Sequence, residues 1–309
     1  MTDWKQRLIE KKLLISDGAW GTELARHGLP SGTAPEQWNI EKPDAVRAVA
    51  AAYVEAGSDI ILTNTFGGSP YKLAKAGLDG RVEEINREGA RLSVEAAGDR
   101  ALVFASVGPS GEFMQPVGTV SEQEITDCFI EQISALADGG VHGIVVETMT
   151  DLNEARAAIR AAIKVCKLPV VASMTFDKGP KGFATMMGVS PDLAAQELES
   201  AGAKVVGANC GAGIADMVQI ISAMRKASAL PLWAKSNAGL PQLVDGKTVF
   251  RQTPEEMSGR LADLCSAGAN IVGGCCGTTP DHISAFVEQR RKIVETQLAG
   301  FDPAAELRI

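Results

Sequence analysis

Three observations predict an α/β fold for this 309-residue chain, a (β/α)8 (TIM) barrel in a single domain. Short apolar runs bounded by Gly, Pro, Asn or Asp recur eight times. They are continuous and do not alternate, as expected of strands buried on both faces of a parallel sheet. Amphipathic stretches of helix length separate them, and eight such pairs suit a barrel of about 250 residues plus insertions.

The predicted strands are Leu13–Ser16, Ile60–Thr63, Leu102–Val107, Gly143–Glu147, Val170–Met174, Lys204–Ala208, Leu232–Ser236 and Ile271–Gly274. Helices are expected over 43–57, 121–140 and 253–268, among others. Start signals stand at Ser121 with Glu124, at Thr150 before Asp151, at Ser190-Pro191-Asp192 and at Thr253-Pro254-Glu255. Gly57, Gly140, Gly202 and Gly268 mark helix ends. A doubly wound open sheet fits less well, because it needs fewer strands and a Gly-rich first turn, and no GxGxxG follows a strand. No linker divides the chain. Residues 1–298 are expected to form the barrel and 299–309 a loose tail.

Composition narrows the function classes. With 30 basic and 38 acidic residues the net charge is -8, and no basic block marks a nucleic-acid footprint or a membrane patch. No apolar run approaches the roughly 18 residues of a membrane span. The charged start MTDWKQRLIEKK is unlike a signal peptide, so a soluble, cytoplasmic protein is expected. Thiols stay reduced there, and the six cysteines need a role other than disulfides.

In a barrel, chemistry gathers at the C-terminal ends of the strands. Those ends carry Asp17-Gly18, Thr63-Asn64-Thr65, the loop 108–111, Glu147-Thr148, Thr175, Asn209-Cys210, Asn237 and Cys275-Cys276. Cys210 follows the sixth strand, and Cys275 and Cys276 follow the eighth, so three thiols can converge across the end of the seventh. Three soft thiolates suit Zn²⁺ in a tetrahedral site with one open position, where an incoming thiol is held deprotonated. Cys128, Cys166 and Cys265 sit within or at the end of amphipathic helices and read as core. Several other signals are decoys. Gly246-Lys247-Thr248 mimics the end of a phosphate loop, but Pro241 stands where its first Gly belongs, so DGK is expected to be a hairpin tip. The three histidines form no HExxH, and His282 is expected to cap the last helix.

GANCGAG (207–213) together with GGCCGTTPDHI (273–283) resembles the zinc-dependent homocysteine S-methyltransferases. SDGAWGTEL (16–24), TNTFGG (63–68), GPSG (108–111), VVET (145–148) and NAGLP (237–241) extend the likeness over about residues 12–290. It is similar in particular to the homocysteine-binding domain of cobalamin-dependent methionine synthase. The resemblance implies methyl transfer to the thiol of homocysteine, giving methionine, with one zinc ion held by Cys210, Cys275 and Cys276. It further implies that Glu147 receives the substrate ammonium and that Asp17 organises the pocket. Amides around Gly18, Ser110 and Thr278-Thr279 would take the carboxylate, and Asn64 is a further contact. Asn237 would fill the open zinc position before substrate arrives. Asp17, Asn64, Ser110 and Asn237 are also ordinary turn or loop residues.

The methyl donor is the open question. The chain has no room for folate, cobalamin and activation modules. It also lacks DxHxxG, since Gly140 and Pro280 stand two residues before His142 and His282. A methylated corrinoid protein, or methylcobalamin, is therefore expected to act in trans. Betaine requires an aromatic surface, for which Trp20, Trp38, Phe66, Tyr71 and Phe113 are candidates, but Gly67 stands where betaine-using relatives carry an aromatic. S-methylmethionine, S-adenosylmethionine, another small thiol such as selenohomocysteine, or a zinc-binding docking subunit without turnover are the alternatives.

Overall fold

The computed structural model describes residues 3–244 and 247–309. Eight parallel strands alternate with helices: β1 (Leu14–Ile15), β2 (Ile60–Leu62), β3 (Leu102–Val107), β4 (Gly143–Met149), β5 (Val170–Met174), β6 (Val205–Gly213), β7 (Leu232–Asn237) and β8 (Ala269–Gly274). Each strand pairs with its sequence neighbour, and β1 pairs with β8. A parallel bridge between Ser16 and Ile60 joins β1 to β2 and closes the (β/α)8 barrel. Every predicted run is a strand.

The continuous apolar pattern is explained by two packing faces. Ile61, Val103, Val146, Ala172, Val206, Ala234 and Val272 pack outward into the core shared with the helices. Leu14, Ile60, Leu62, Phe104, Val145, Val171, Val205, Trp233 and Ile271 form a second cluster drawn from all eight strands, which fills the barrel. Two residues further along β3, β4, β5 and β7 the inward positions become Ser106, Glu147, Ser173 and Lys235, and on β6 Asn209 follows four residues after Val205. An apolar plug thus lies beneath a polar layer, and that layer floors the site.

Fitting Trp233 into the plug requires glycine beside it. Gly207 pairs in register with Trp233, and a Cβ there would stand 2.1 Å from the Trp233 carbonyl oxygen. Backbone cannot yield as a flexible side chain would, so Gly207→Ala is expected to exceed the ~1–3 kcal/mol of ordinary overpacking. A thermal midpoint lowered by on the order of 10 °C, or loss of soluble protein, is the expected result; an unchanged midpoint would contradict this packing.

The helix signals hold with small shifts. Ser121 and Glu124 form a capping box, and Thr253 forms one with Glu256, not Glu255. Asp151 caps its helix in place of Thr150. His282 reaches back to cap the helix Pro280–Thr296 with Thr279. Gly57, Gly140, Gly202 and Gly268 all have positive φ. Gln242–Val244 pairs antiparallel with Lys247–Val249, while Asp245 and Gly246 of the expected DGK tip lie outside the described residues.

The end of the chain corrects the expectation of a loose tail. Pro303–Glu306 is helical, and Leu307 and Ile309 pack on the barrel plug beside Trp4 and Leu8 of the first helix. The Arg308 amide donates to the Ala229 carbonyl at 3.0 Å, and its guanidinium pairs with Glu199. No helix among the described residues is long and apolar enough to cross a membrane.

Candidate metal centre and acceptor pocket

Two strand bulges build the mouth of the barrel. In β4 the register shifts between Val146 and Met149, and in β6 between Asn209 and Gly213. Each carries a non-glycine residue in the left-handed region, Thr148 at φ 61° and Cys210 at φ 60°. Such backbone persists only where surrounding contacts hold it. Here Asn209 supplies them: its Oδ1 accepts from the Thr148 amide at 2.8 Å and from Ser173 Oγ at 2.7 Å, and its Nδ2 donates to Thr148 Oγ1 at 2.7 Å.

The β6 bulge aims Cys210 at the loop after β8. That loop is tied to the end of β7, since the Cys275 amide donates to the Ser236 carbonyl at 2.8 Å and the Ala238 amide to the Cys276 carbonyl at 3.0 Å. The Sγ atoms of Cys210, Cys275 and Cys276 lie within 4.8 Å of one another. Cys210 and Cys276 are separated by 3.9 Å at sulfur. Tetrahedral zinc with Zn–S near 2.3 Å needs sulfurs about 3.8 Å apart, which the Cys210–Cys276 pair matches. Asn237 ends β7 between them, and its buried Oδ1 has no hydrogen-bond partner among the described residues. A buried amide oxygen without a donor is costly unless a partner completes it.

The thiols titrate as a set. Cys210, accepting from the Cys275 and Cys276 thiols, is lowered to about 3. Donating to that thiolate pushes Cys275 well above the ordinary thiol range, and pushes Cys276 up to about 12. Cys128 and Cys265 stand apart in helices and are each pushed up to about 12, Cys265 by burial and Cys128 chiefly by burial, partly offset by hydrogen bonds from Tyr71 and Ser69. Cys166 closes its helix with Sγ donating to the Ala162 carbonyl at 3.3 Å.

A cavity of about 660 Å³ opens beside the sulfurs. Gly18, Asn64, Glu147, Cys210, Cys275 and Cys276 line it, as do Trp20, Thr22, Glu36, Phe66, Lys72 and Lys235. A buried row of charge runs under it. Lys235 Nζ donates to Asp17 Oδ1 at 2.6 Å, and Glu147 accepts from Ser106 Oγ at 2.5 Å and from Asn209 Nδ2 at 3.4 Å. Burial lowers the Lys235 pKa, but Asp17 and Glu147 outweigh it and hold the ammonium above its ordinary value. Burial raises the Glu147 pKa, partly offset by Lys235 and Ser106.

The remaining expected contacts are placed differently. Asp17 is fully buried behind the cavity wall; its Oδ2 accepts from Trp20 Nε1 at 2.8 Å and from the Leu62 amide at 2.7 Å. Asn64 lines the cavity, with its Nδ2 donating to the Pro35 carbonyl and to Asn39 Oδ1. Ser110 does not reach it: its amide and hydroxyl both donate to Glu154 Oε1, at 2.7 and 2.6 Å. Thr278 lies behind the wall, accepting from the Ala19 amide at 3.1 Å and donating to the Cys275 carbonyl at 2.7 Å. The Thr278 and Thr279 amides donate to the Cys275 carbonyl and to His282 Nδ1. Thr278 therefore joins the first and last loops.

Lys235 and Glu36 are cavity residues that sequence reasoning missed, while Asn209 was placed at a strand end without a role. A signal existed for Lys235: it is a lysine in the apolar strand LPLWAKSN, in inward phase with Trp233 and Asn237. Glu36 gives no such signal. It reaches the cavity from the segment Pro35–Gln37 and accepts from the Gly67 amide at 2.6 Å.

Three converging thiols at the mouth of a (β/α)8 barrel, beside a cavity floored by acid and ammonium, define a candidate metal and ligand site. The chain belongs to the homocysteine S-methyltransferase family, whose model matches residues 14–290. It is 28% identical over 293 residues to methionine synthase of Mycobacterium leprae (strain TN), and 29% over 294 residues to that of Mycobacterium tuberculosis (strain ATCC 25618 / H37Rv). Each match takes in 89% of this chain but 24% of the relative, so the chain spans about a quarter of these proteins. In fold it is similar to the metallated form of the homocysteine methyltransferase MmuM from Escherichia coli, with a TM-score of 0.78 and 22% identity over 92% of this chain and 99% of that one.

Proposed function

We propose that the protein transfers a methyl group to the thiol of homocysteine, giving methionine. The three cysteines would hold one zinc ion, and the donor would be a methylated corrinoid protein or methylcobalamin in trans. The observation that carries this reading is the convergence of Cys210, Cys275 and Cys276 on a cavity that also presents the Glu147 carboxylate.

Zinc bound by those sulfurs would hold an incoming thiol as thiolate at neutral pH. Glu147, preorganised by Ser106 and Asn209, accepts the substrate ammonium and orients the amino acid so that its sulfur lies toward the cysteines. In the transfer the substrate sulfur forms a bond to the methyl carbon as the donor's bond to that carbon breaks, and the thiol proton is released on binding.

Two observations favour a corrinoid donor over a cationic one. Of the aromatic candidates, Trp20 and Phe66 line the cavity. Trp20 is tied to Asp17, and the Lys72 ammonium lies 4.5 Å from the Phe66 ring centroid, so a sulfonium or quaternary ammonium would meet a like charge there. Secondly, most exposed large apolar side chains of the described residues stand on loops after strands, at the mouth: Phe66, Phe113, Val117, Met186, Met187, Leu240 and Leu243. Such a rim suits a macromolecular or macrocyclic methyl carrier.

Incubating zinc-loaded protein and homocysteine separately with methylcobalamin, betaine, S-methylmethionine and S-adenosylmethionine, and measuring methionine, tests the reading. Methionine is expected from methylcobalamin, or from a methylated corrinoid protein. Product from betaine or a sulfonium alone would reassign the donor, and no product from any donor would contradict methyl transfer.

A further inference from the structure

The structure assigns Lys72 and Glu36 to the methyl donor, as a clamp for a carboxamide arm of its corrin ring, an assignment that rests on a corrinoid donor. Both line the cavity that holds the thiols. Lys72 stands on the helix Pro70–Lys75 after β2, and in the ring of eight strands β2 lies opposite β6, which carries Cys210. Its ammonium lies 4.5 Å from the Phe66 ring centroid, and Glu36 and Glu154 act on it only through space. Among the described residues none of its three protons has an acceptor. The neighbouring Lys75 is already committed, to the Gly111 carbonyl and to Glu112. Glu36 is 4 % exposed, and beyond its own amide its carboxyl accepts from the Gly67 amide alone, at 2.6 Å. Burial pulls the Lys72 pKa down and pushes that of Glu36 up, as expected of charges short of partners.

A cation and an acid that face one cavity without pairing call for a ligand group that accepts and donates at once. A primary carboxamide does both, its oxygen accepting from Lys72 and its N–H donating to Glu36. A carboxylate or phosphate would satisfy Lys72 but meet Glu36, and a lone cation would satisfy Glu36 but meet Lys72. The charged ends of the acceptor have partners nearer the sulfurs. Glu147 is one, and the Gly18 amide and Lys235 keep spare protons after β1 and on β7, either side of the cysteine-bearing β8. Corrin rings carry carboxamide arms, some of them on the methyl-bearing face. Gly67 keeps the clamp open to such an arm, because a Cβ there would stand 2.9 Å from Glu36 Oε1. Phe66, exposed at the rim beside Lys72, offers the ring an apolar edge.

Two methyl–cobalt donors test the clamp on zinc-loaded protein with homocysteine. One is methylcobalamin; the other is methylcobaloxime, a planar methyl–cobalt complex without carboxamides. The readout is the ratio of their kcat/KM values, which does not depend on how much of a variant folds. In K72M the preference for methylcobalamin should fall by on the order of 10-fold, mostly through a raised donor KM. E36Q, which keeps an acceptor for the Gly67 amide, should lower it by about 3-fold. Homocysteine affinity, measured by calorimetry without a donor, should not follow either change. An unchanged preference in K72M, or a loss of homocysteine affinity matching the loss of turnover, would overturn the clamp alone. Wild-type turnover of S-methylmethionine that disappears in K72M would overturn it in favour of an amino-acid donor. No methionine from either cobalt donor with wild type would overturn the corrinoid donor and the clamp together.

Discussion

Alanine at Cys275 is expected to abolish zinc retention and to lower methyl transfer by on the order of 10³-fold or more, the equivalent of several kcal/mol of lost metal assistance. The three sulfurs lie within 4.8 Å of one another, and no other group of histidine, cysteine or acidic side chains among the described residues gathers as a metal site. Removing one sulfur leaves two thiol ligands, too few for a site built on three sulfurs. The Cys210 thiolate also loses the first of the donors that hold it deprotonated. Zinc per chain, measured by elemental analysis, should fall from about one to near zero. Cys128→Ala is the matched control, because that thiol is packed in a helix and held protonated by burial. It should keep both zinc and activity. Full zinc content in Cys275→Ala would contradict the ligand assignment.

Glu147→Gln separates substrate binding from metal binding. The amide keeps the shape and can still accept from Ser106, but it removes the charge proposed to receive the substrate ammonium. Losing one buried charge-assisted contact costs about 3 kcal/mol, or roughly 100-fold in kcat/KM, mostly as a raised KM. Zinc content should stay at about one per chain. If kcat/KM for homocysteine remained within a few fold of wild type, Glu147 would not be the ammonium site.

The barrel was legible because its strands are buried on both faces, which leaves a continuous apolar run that survives small errors in boundaries. The cysteine cluster was legible for a related reason: once the strands are placed, Cys210 and Cys275-Cys276 must face one another across β7. What was hidden depends on contacts between distant segments. The bulges at Thr148 and Cys210 are held by Asn209 and Ser173, and nothing local in VVETM or GANCGAG announces them. Ser110 sits in the expected loop, yet Glu154, from the helix Leu152–Val165, takes both of its donors. Lys235 was overlooked because a lysine in an apolar strand reads as an edge or an end until the inward phase set by Trp233 is applied. The C-terminal residues looked loose because Leu307 and Ile309 are isolated apolar positions, and their partners lie at the opposite end of the chain.

The central claim is that the three cysteines and the substrate sulfur together surround one metal ion. Zinc-edge X-ray absorption on the zinc-loaded protein, recorded before and after adding homocysteine, tests it most directly. Three sulfur neighbours near 2.3 Å plus one lighter atom are expected without substrate, becoming four sulfurs once homocysteine is bound. A sulfur count that does not rise on adding homocysteine would contradict it.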